Sequence, residues 1–221
     1  MPNWFCWLFY EVSYWFCFAF GTAAFSLRFE GARHIPRRGP ILLVANHQSM
    51  LDPVLVGVAV RRHIAYLARK TLFRNRFFAW VIGTLQAIPV DQDGIAKEGM
   101  RAVLKGLEQG RAVLIFPEGS RSEDGRLGPL MPGIQLLVRR SKAAVVPVGI
   151  AGAFESLPRG RLVPKFSPLF LPAEKSAIAL SIGLPIQAEE LEGLSRDELL
   201  SRLHLEMEKA CAKAQRIRRK A

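Results

Sequence analysis

Two short polar runs interrupt an otherwise apolar chain, and their residue types suit proton transfer and anion binding. The first is Asn46-His47-Gln48-Ser49-Met50-Leu51-Asp52-Pro53, and the second is Pro117-Glu118-Gly119-Ser120-Arg121-Ser122. His47 and Asp52 are five positions apart, which on a regular helix leaves them roughly 140° from each other. They can meet if His47 is still in a loop and Asp52 lies in the first turn of a following helix. A carboxylate bonded to Nδ1–H then fixes the imidazole tautomer and leaves Nε2 free to take a proton from a hydroxyl. The same residues also read as plain helix chemistry, since Asp52-Pro53 fits N-cap and N1 and Ser49-x-x-Asp52 fits a capping box. In the second run, Gly119 and Ser120 supply backbone N–H groups that a ligand can approach closely. Arg121 adds a planar fork suited to phosphate. Glu118 fits either a partner for that arginine or an acceptor for a ligand hydroxyl. A solvated turn, continuing into Ser122-Glu123-Asp124-Gly125, is the other reading of this run.

Other chemistries are poorly served. His34, His63 and His204 show no metal-ligand spacing, so no metal site is expected. Cys6, Cys17 and Cys211 form no CxxC pair and no disulfide framework. Neither Ser49 nor Ser120 lies in a GxSxG elbow, which argues against a serine nucleophile. No cofactor is required. With 50% hydrophobic and 23% charged residues, a disordered chain is excluded. Lys and Arg number 31 against 19 Asp and Glu, a net charge of +12 that calls for an anionic partner: nucleic acid, an acidic membrane surface or a phosphorylated ligand.

The distribution of aromatics chooses among these. Over half of them fall in residues 1–29, where Glu11 and Arg28 are the only charges. Trp4 to Leu27 as a helix is roughly 36 Å long, enough to span or enter a bilayer. Trp4, Trp7, Tyr10, Tyr14 and Trp15 suit an interfacial belt, although Glu11 counts against a simple lipid-exposed span. Arg28, Arg33, Arg37 and Arg38 follow, so the positive-inside rule places the remainder at the cytoplasmic face of the inner or plasma membrane. Residues 1–29 are therefore expected to be a membrane-associated helical segment. A buried amphipathic helix is the alternative. The basic, aromatic run 53–90 suits an anionic bilayer surface or the phosphates of a thioester donor better than nucleic acid, which is not expected as a partner.

Residues 30–221 read as one α/β domain. Ile41–Ala45, Ile64–Ala68, Ala112–Phe116, Val145–Ile150 and Ala177–Ile182 are strand-like runs. Helical patterns lie between them, including Ile95–Gln109, with Gly110 as its C-cap glycine. A last helix opens on a Ser195/Glu198 capping box, carries the stripe Leu199, Leu203, Met207, Ala210 and Ala214, and closes on basic residues suited to its negative end. This alternation predicts a mixed, largely parallel sheet surrounded by helices. Both polar runs follow predicted strands, so they should share the rim where such sheets gather ligands.

Together the two runs resemble blocks of the glycerolipid acyltransferase family, the lysophosphatidic acid acyltransferases in particular. Asn46–Asp52 is similar to its Asn-His-x4-Asp block, Phe116–Ser122 to its third block, and Val145-Val146-Pro147-Val148 to its fourth. The resemblance implies that His47 is the general base and Asp52 its orienter. It implies too that Glu118, Gly119 and Arg121 hold a phosphorylated acceptor. The donor is then acyl-CoA or acyl carrier protein and the acceptor a lysophospholipid. An N-terminal membrane-embedded helical pair, as in bacterial relatives, is implied for residues 4–27. One position departs from the family: Gln92 stands where its second block usually has an arginine that helps bind the acceptor phosphate. That substitution opens the way to a different lysolipid acceptor. A lipid hydrolase using the same dyad, or an inactive lipid-binding protein, are the rival readings.

Overall fold

The computed structural model describes residues 3–90 and 98–219. Along the chain come α1 (Asn3–Phe25), β1 (Arg28–Glu30), β2 (Ile41–Ala45), α2 (Asp52–Val60), β3 (Ile64–Arg69), α3 (Arg76–Thr84), β4 (Ala87–Val90) and α4 (Met100–Glu108). β5 (Ala112–Ile115), α5 (Gly133–Ser141), β6 (Ala144–Ala151), α6 (Ala153–Ser156), β7 (Ala179–Ile182), α7 (Ala188–Leu191) and α8 (Arg196–Ile217) follow. The strands form one sheet in the order β1-β7-β6-β2-β5-β3-β4. β6 pairs antiparallel with β7 and every other pairing is parallel, so the sheet is mixed and largely parallel, as expected.

β2 is apolar at every position because helices cover both of its faces. Ile41, Leu43 and Ala45 pack with Leu55, Val56 and Ala59 of α2 on one side. Leu42 and Val44 pack on the other with Leu107 of α4, Leu137 of α5 and Leu203 of α8. The helices that follow the neighbouring strands β2 and β5 therefore lie on opposite faces. This makes the carboxyl ends of those two strands the topological switch point.

The five expected strands are present, with ends displaced by at most two residues. β1 and β4 were not legible. The first is only three residues long, and the second carries Pro89, which is tolerated because β4 lies at the sheet edge. The expected boundary at residue 29 falls inside β1. The helix expected from Ile95 is described from Met100, and its first residues, 95–97, lie outside the described residues. Gly110, with φ +74°, follows that helix as its C-cap pattern requires. In α8 the Ser195/Glu198 capping box forms, and the whole predicted stripe is buried. α8 lies directly on β6 at Gly149, where a Cβ would come within 2.1 Å of the Ala210 backbone. Of its terminal basic residues, Arg216 lies in the last turn as expected, Lys220 lies outside the described residues, and the two arginines between them bond elsewhere. Arg218 binds Glu155 and the Lys175 carbonyl, and Arg219 reaches across to carbonyls 168, 169 and 171.

The N-terminal segment is one unbroken helix, α1, rather than the helical pair implied by the resemblance. No helix among the described residues is long and apolar enough to cross a membrane. In α1 the Trp and Tyr residues carry polar tips that favour interfaces, and Glu11, Ser13 and Thr22 dilute the apolar remainder. One side of α1 packs on the domain. There Tyr10 is buried, donates its hydroxyl to the Arg62 carbonyl at 3.2 Å and stacks on His63 with centroids 3.7 Å apart. Burial pushes that hydroxyl up to about 12, so it stays a donor, and Tyr10 fastens α1 instead of joining a belt. The other side exposes Trp4, Trp7, Leu8, Val12, Trp15 and Phe16.

Candidate active site

β2 continues past its last apolar residue through a side chain. Asn46 Nδ2 donates to the Ile150 carbonyl (3.0 Å) and its Oδ1 accepts from the Ile150 amide (2.8 Å), so the amide stands in for a further backbone pair with β6. The chain then turns, and Asp52 opens α2 with Pro53 in the first turn, where its missing N–H costs nothing. His47 is thereby left in the loop and Asp52 on the helix. Their side chains meet, with His47 Nδ1 to Asp52 Oδ2 at 2.8 Å. The same Oδ2 accepts from the backbone N–H of Gln48 (2.6 Å) and of Ser49 (2.7 Å).

The bond to His47 forms, whereas the expected cap does not: Leu51 is the N-cap of α2, without a side-chain cap bond, and Asp52 is the first residue of the helix. Its bond from the Ser49 amide is half of a capping box. The reciprocal half is absent, because Ser49 Oγ donates to the Leu157 carbonyl at 2.8 Å and accepts from the Leu51 amide. Asp52 is fully buried, while the His47 side chain keeps 20% exposure. Burial pushes the Asp52 carboxyl above the usual carboxylate range, and the imidazole, with the Ser49 and Gln48 amides, pulls it back down. Oδ1 of Asp52 is buried with no partner among the described residues. With Nδ1 engaged, Nε2 of His47 has no protein partner among the described residues. The imidazole lies flat on Phe116, centroids 4.0 Å apart and planes 15° from parallel.

The second polar run is tied to the first by its carboxylate. Glu118 Oε1 accepts from the His47 amide (2.7 Å) and Oε2 from the Gly128 amide (2.9 Å), while the Ser122 amide donates to the His47 carbonyl (2.7 Å). Burial pushes the Glu118 carboxyl up and these two amides pull it down. Each Glu118 oxygen thus accepts one backbone bond inside the protein, and no bond to Arg121 forms. Gly119, at φ +74°, turns the chain, and it and Ser120 are exposed. Arg121 is half-buried, and its guanidinium has no hydrogen bond or ion pair with the described residues. Gln92 lies outside the described residues. Of the basic run 53–90, Arg62 is committed to the Pro36, Gly39 and Gly110 carbonyls, and Arg61 sits 5.6 Å over the Trp15 ring.

Asn46, Gln48, Ser49 and Phe116 also belong to the site and were not singled out as site residues. Gln48 donates to the Gly125 carbonyl at 2.6 Å and holds the two loops together. The available signal was an uninterrupted polar run directly after a strand buried on both faces, because buried polar side chains must find partners.

Glu118→Gln tests the clamp. An amide offers one oxygen to two N–H donors and leaves an NH₂ facing the second. A loss of about 1–3 kcal/mol is expected, with Tm lower by several degrees. An unchanged Tm by calorimetry would show that the carboxylate does not hold the loops.

At one strand switch of an α/β domain stand a carboxylate-backed histidine and an arginine uncommitted among the described residues, an arrangement chemically suited to proton transfer beside an anion. Comparison with known proteins gives the family. A family model described as Acyltransferase matches residues 26–151, a span that includes His47, Asp52, Phe116, Glu118, Gly119, Ser120 and Arg121, and the chain belongs to that family. It is 28% identical over 120 residues to a 1-acyl-sn-glycerol-3-phosphate acyltransferase of Bacillus subtilis, covering 54% of this chain and 59% of that protein. It is 26% identical over 139 residues to a chloroplast 1-acyl-sn-glycerol-3-phosphate acyltransferase of Arabidopsis thaliana, covering 62% and 39%. The chain thus spans between about two-fifths and three-fifths of the length of these relatives. The crystal structure of the 1-acyl-sn-glycerophosphate acyltransferase of Thermotoga maritima shares the fold, with TM-score 0.74 and 23% identity over 94% of this chain and 79% of that one.

Proposed function

We propose that this chain transfers a fatty acyl group from an acyl thioester, acyl-CoA or acyl carrier protein, to the free hydroxyl of a lysophospholipid, with 1-acylglycerol-3-phosphate the acceptor. The observation that carries this reading is the fully buried Asp52 carboxylate behind His47, with Nε2 left open. The named activity of the Bacillus subtilis and Arabidopsis thaliana relatives supports it. His47 Nε2 takes the proton of the acceptor hydroxyl as the oxygen attacks the thioester carbonyl. The C–O bond forms, the C–S bond breaks, and the imidazolium returns the proton to the departing thiolate.

Transfer is direct in this reading, in which Ser49, Cys17 and Cys211 are poor acyl carriers. Ser49 Oγ is buried and donates to a carbonyl, and burial pushes the thiols of Cys17 and Cys211 up, the latter to about 12. A small apolar groove of about 70 Å³ between α1 and α2, lined by Tyr10, Tyr14, Cys17, Pro53, Val54 and Tyr66, adjoins the first turn of α2. The exposed face of α1 rests on the cytoplasmic leaflet and brings the lipid substrates to this rim. Thiol release that requires a lysolipid tests the reading against a hydrolase, which would consume ester or thioester with water alone.

Arg121 holds the acceptor phosphate in this account, with the Gly119 and Ser120 amides beside it. Arg121→Ala should raise acceptor KM about 10- to 150-fold and leave donor KM nearly unchanged, the worth of a charge-assisted fork. Arg121→Lys should recover only part, since a point charge cannot reproduce two parallel bonds. Gln92→Arg should lower the KM for 1-acylglycerol-3-phosphate further. Equal effects of Arg121→Ala on donor and acceptor, with no response to Gln92→Arg, would remove the phosphate site from Arg121.

A further inference from the structure

We propose that the segment between α6 and β7 is a second lipid-contacting element, continuous with the outer face of α1, and that it docks on an anionic bilayer surface. This rests on the reading that α1 lies on a membrane. The segment is firmly held. The amides of Ser167 and Leu169 donate to the carbonyls of Ala24 (2.9 Å) and Ala23 (3.0 Å), and Ser26 Oγ donates to the Ser167 carbonyl (2.7 Å). From the end of α8, Arg219 donates to the carbonyls of Pro168 (3.2 Å), Leu169 (2.7 Å) and Leu171 (2.7 Å). A loop fixed by this many backbone bonds still presents Leu162 at 94% exposure and Phe170 at 89%, with Val163 and Leu171 also exposed.

Fixing large apolar side chains in water gains nothing in folding, since their burial is the main source of stability. It does pre-organise them for an apolar medium. The rings run without a break from helix to loop: Phe16 stacks on Phe20 at 6.1 Å, Phe20 meets Phe166 at 6.5 Å, and Phe166 meets Phe25 at 5.3 Å. Around the apolar tips stand exposed Arg159, Arg161, Lys165 and Lys175 against the single acid Glu174. Leu and Phe tips within a basic collar match the apolar interior and anionic headgroups of a leaflet. The loop is also joined to the catalytic rim, because Ser49 Oγ donates to the Leu157 carbonyl at its root.

The test uses the full chain and vesicles of phosphatidylglycerol and phosphatidylcholine with brominated acyl chains. Phe170→Trp, read as the difference from the parent protein, should add a blue-shifted emission that the bromine quenches. The double substitution L162S/F170S should weaken vesicle partition about tenfold or more while leaving Tm unchanged, because both side chains are already in water. If the indole of F170W stays unquenched while the native tryptophans of α1 are quenched, the loop proposal fails and the α1 reading stands. If nothing partitions and no tryptophan is quenched, both fail. If L162S/F170S abolishes self-association in lipid-free buffer and leaves vesicle partition unchanged, the face is a contact between copies and the proposal is overturned.

Discussion

Replacing His47 by alanine is expected to lower kcat for acyl transfer about 10²- to 10⁴-fold, the usual worth of a positioned general base. The geometry makes the loss specific. Nδ1 is used up by Asp52, and Phe116 holds the ring flat, so one nitrogen is left to do chemistry. The backbone of His47 is anchored independently, its amide on Glu118 and its carbonyl on Ser122, and the alanine variant keeps both bonds. Acceptor KM should therefore change little and the protein should remain folded. A variant retaining more than about a tenth of the parent kcat would reject His47 as the base.

Asp52→Asn is expected to cost about 10²-fold or more in kcat, and the structure says why asparagine is no innocent replacement. Two backbone amides and the imidazole all donate to Oδ2, so the asparagine oxygen must take that place. The amide NH₂ then falls where Oδ1 is buried without a partner. The two backbone bonds and the tautomer survive, and what is lost is the negative charge that stabilises the imidazolium formed during transfer. At an effective dielectric of about 20, opposite charges about 4 Å apart interact by about 4 kcal/mol, enough for that loss. If Asp52 were a helix cap only, asparagine would serve as well and kcat would stay near the parent value. Steady-state kinetics on the folded variant separates these two outcomes.

Periodicity made most of this fold legible. β2, β5 and β6 are apolar runs buried on both faces, and α8 announces itself by a capping box and a stripe. Their order also put both polar runs on one rim, where the backbone bonds between His47, Glu118 and Ser122 now join them. What escaped notice depended on contacts between distant parts of the chain. Nothing local in Asn46 points to Ile150, over a hundred residues away, and nothing in Glu118 says that two amides will take both its oxygens. Arg62 fits the sequence's basic run for an anionic surface and Arg219 the negative end of α8, whereas each is held by three or more carbonyl or hydroxyl oxygens. The aromatic density of residues 1–29 placed a helix correctly in the chain, but density alone does not separate a spanning helix from one that packs on the domain, because Trp and Tyr serve both.

The central claim is that His47 delivers a lysolipid hydroxyl, rather than water, to a thioester. Its most direct test follows thiol release from acyl-CoA and from acyl carrier protein by the purified full chain, with and without 1-acylglycerol-3-phosphate, while diacyl product and free fatty acid are counted together. The expected result is thiol release with at least one donor that depends on the acceptor, one diacyl product per thiol, and none of it in His47→Ala. Free fatty acid formed at the same rate with or without acceptor, or acceptor-dependent transfer that persists in His47→Ala, would contradict the account.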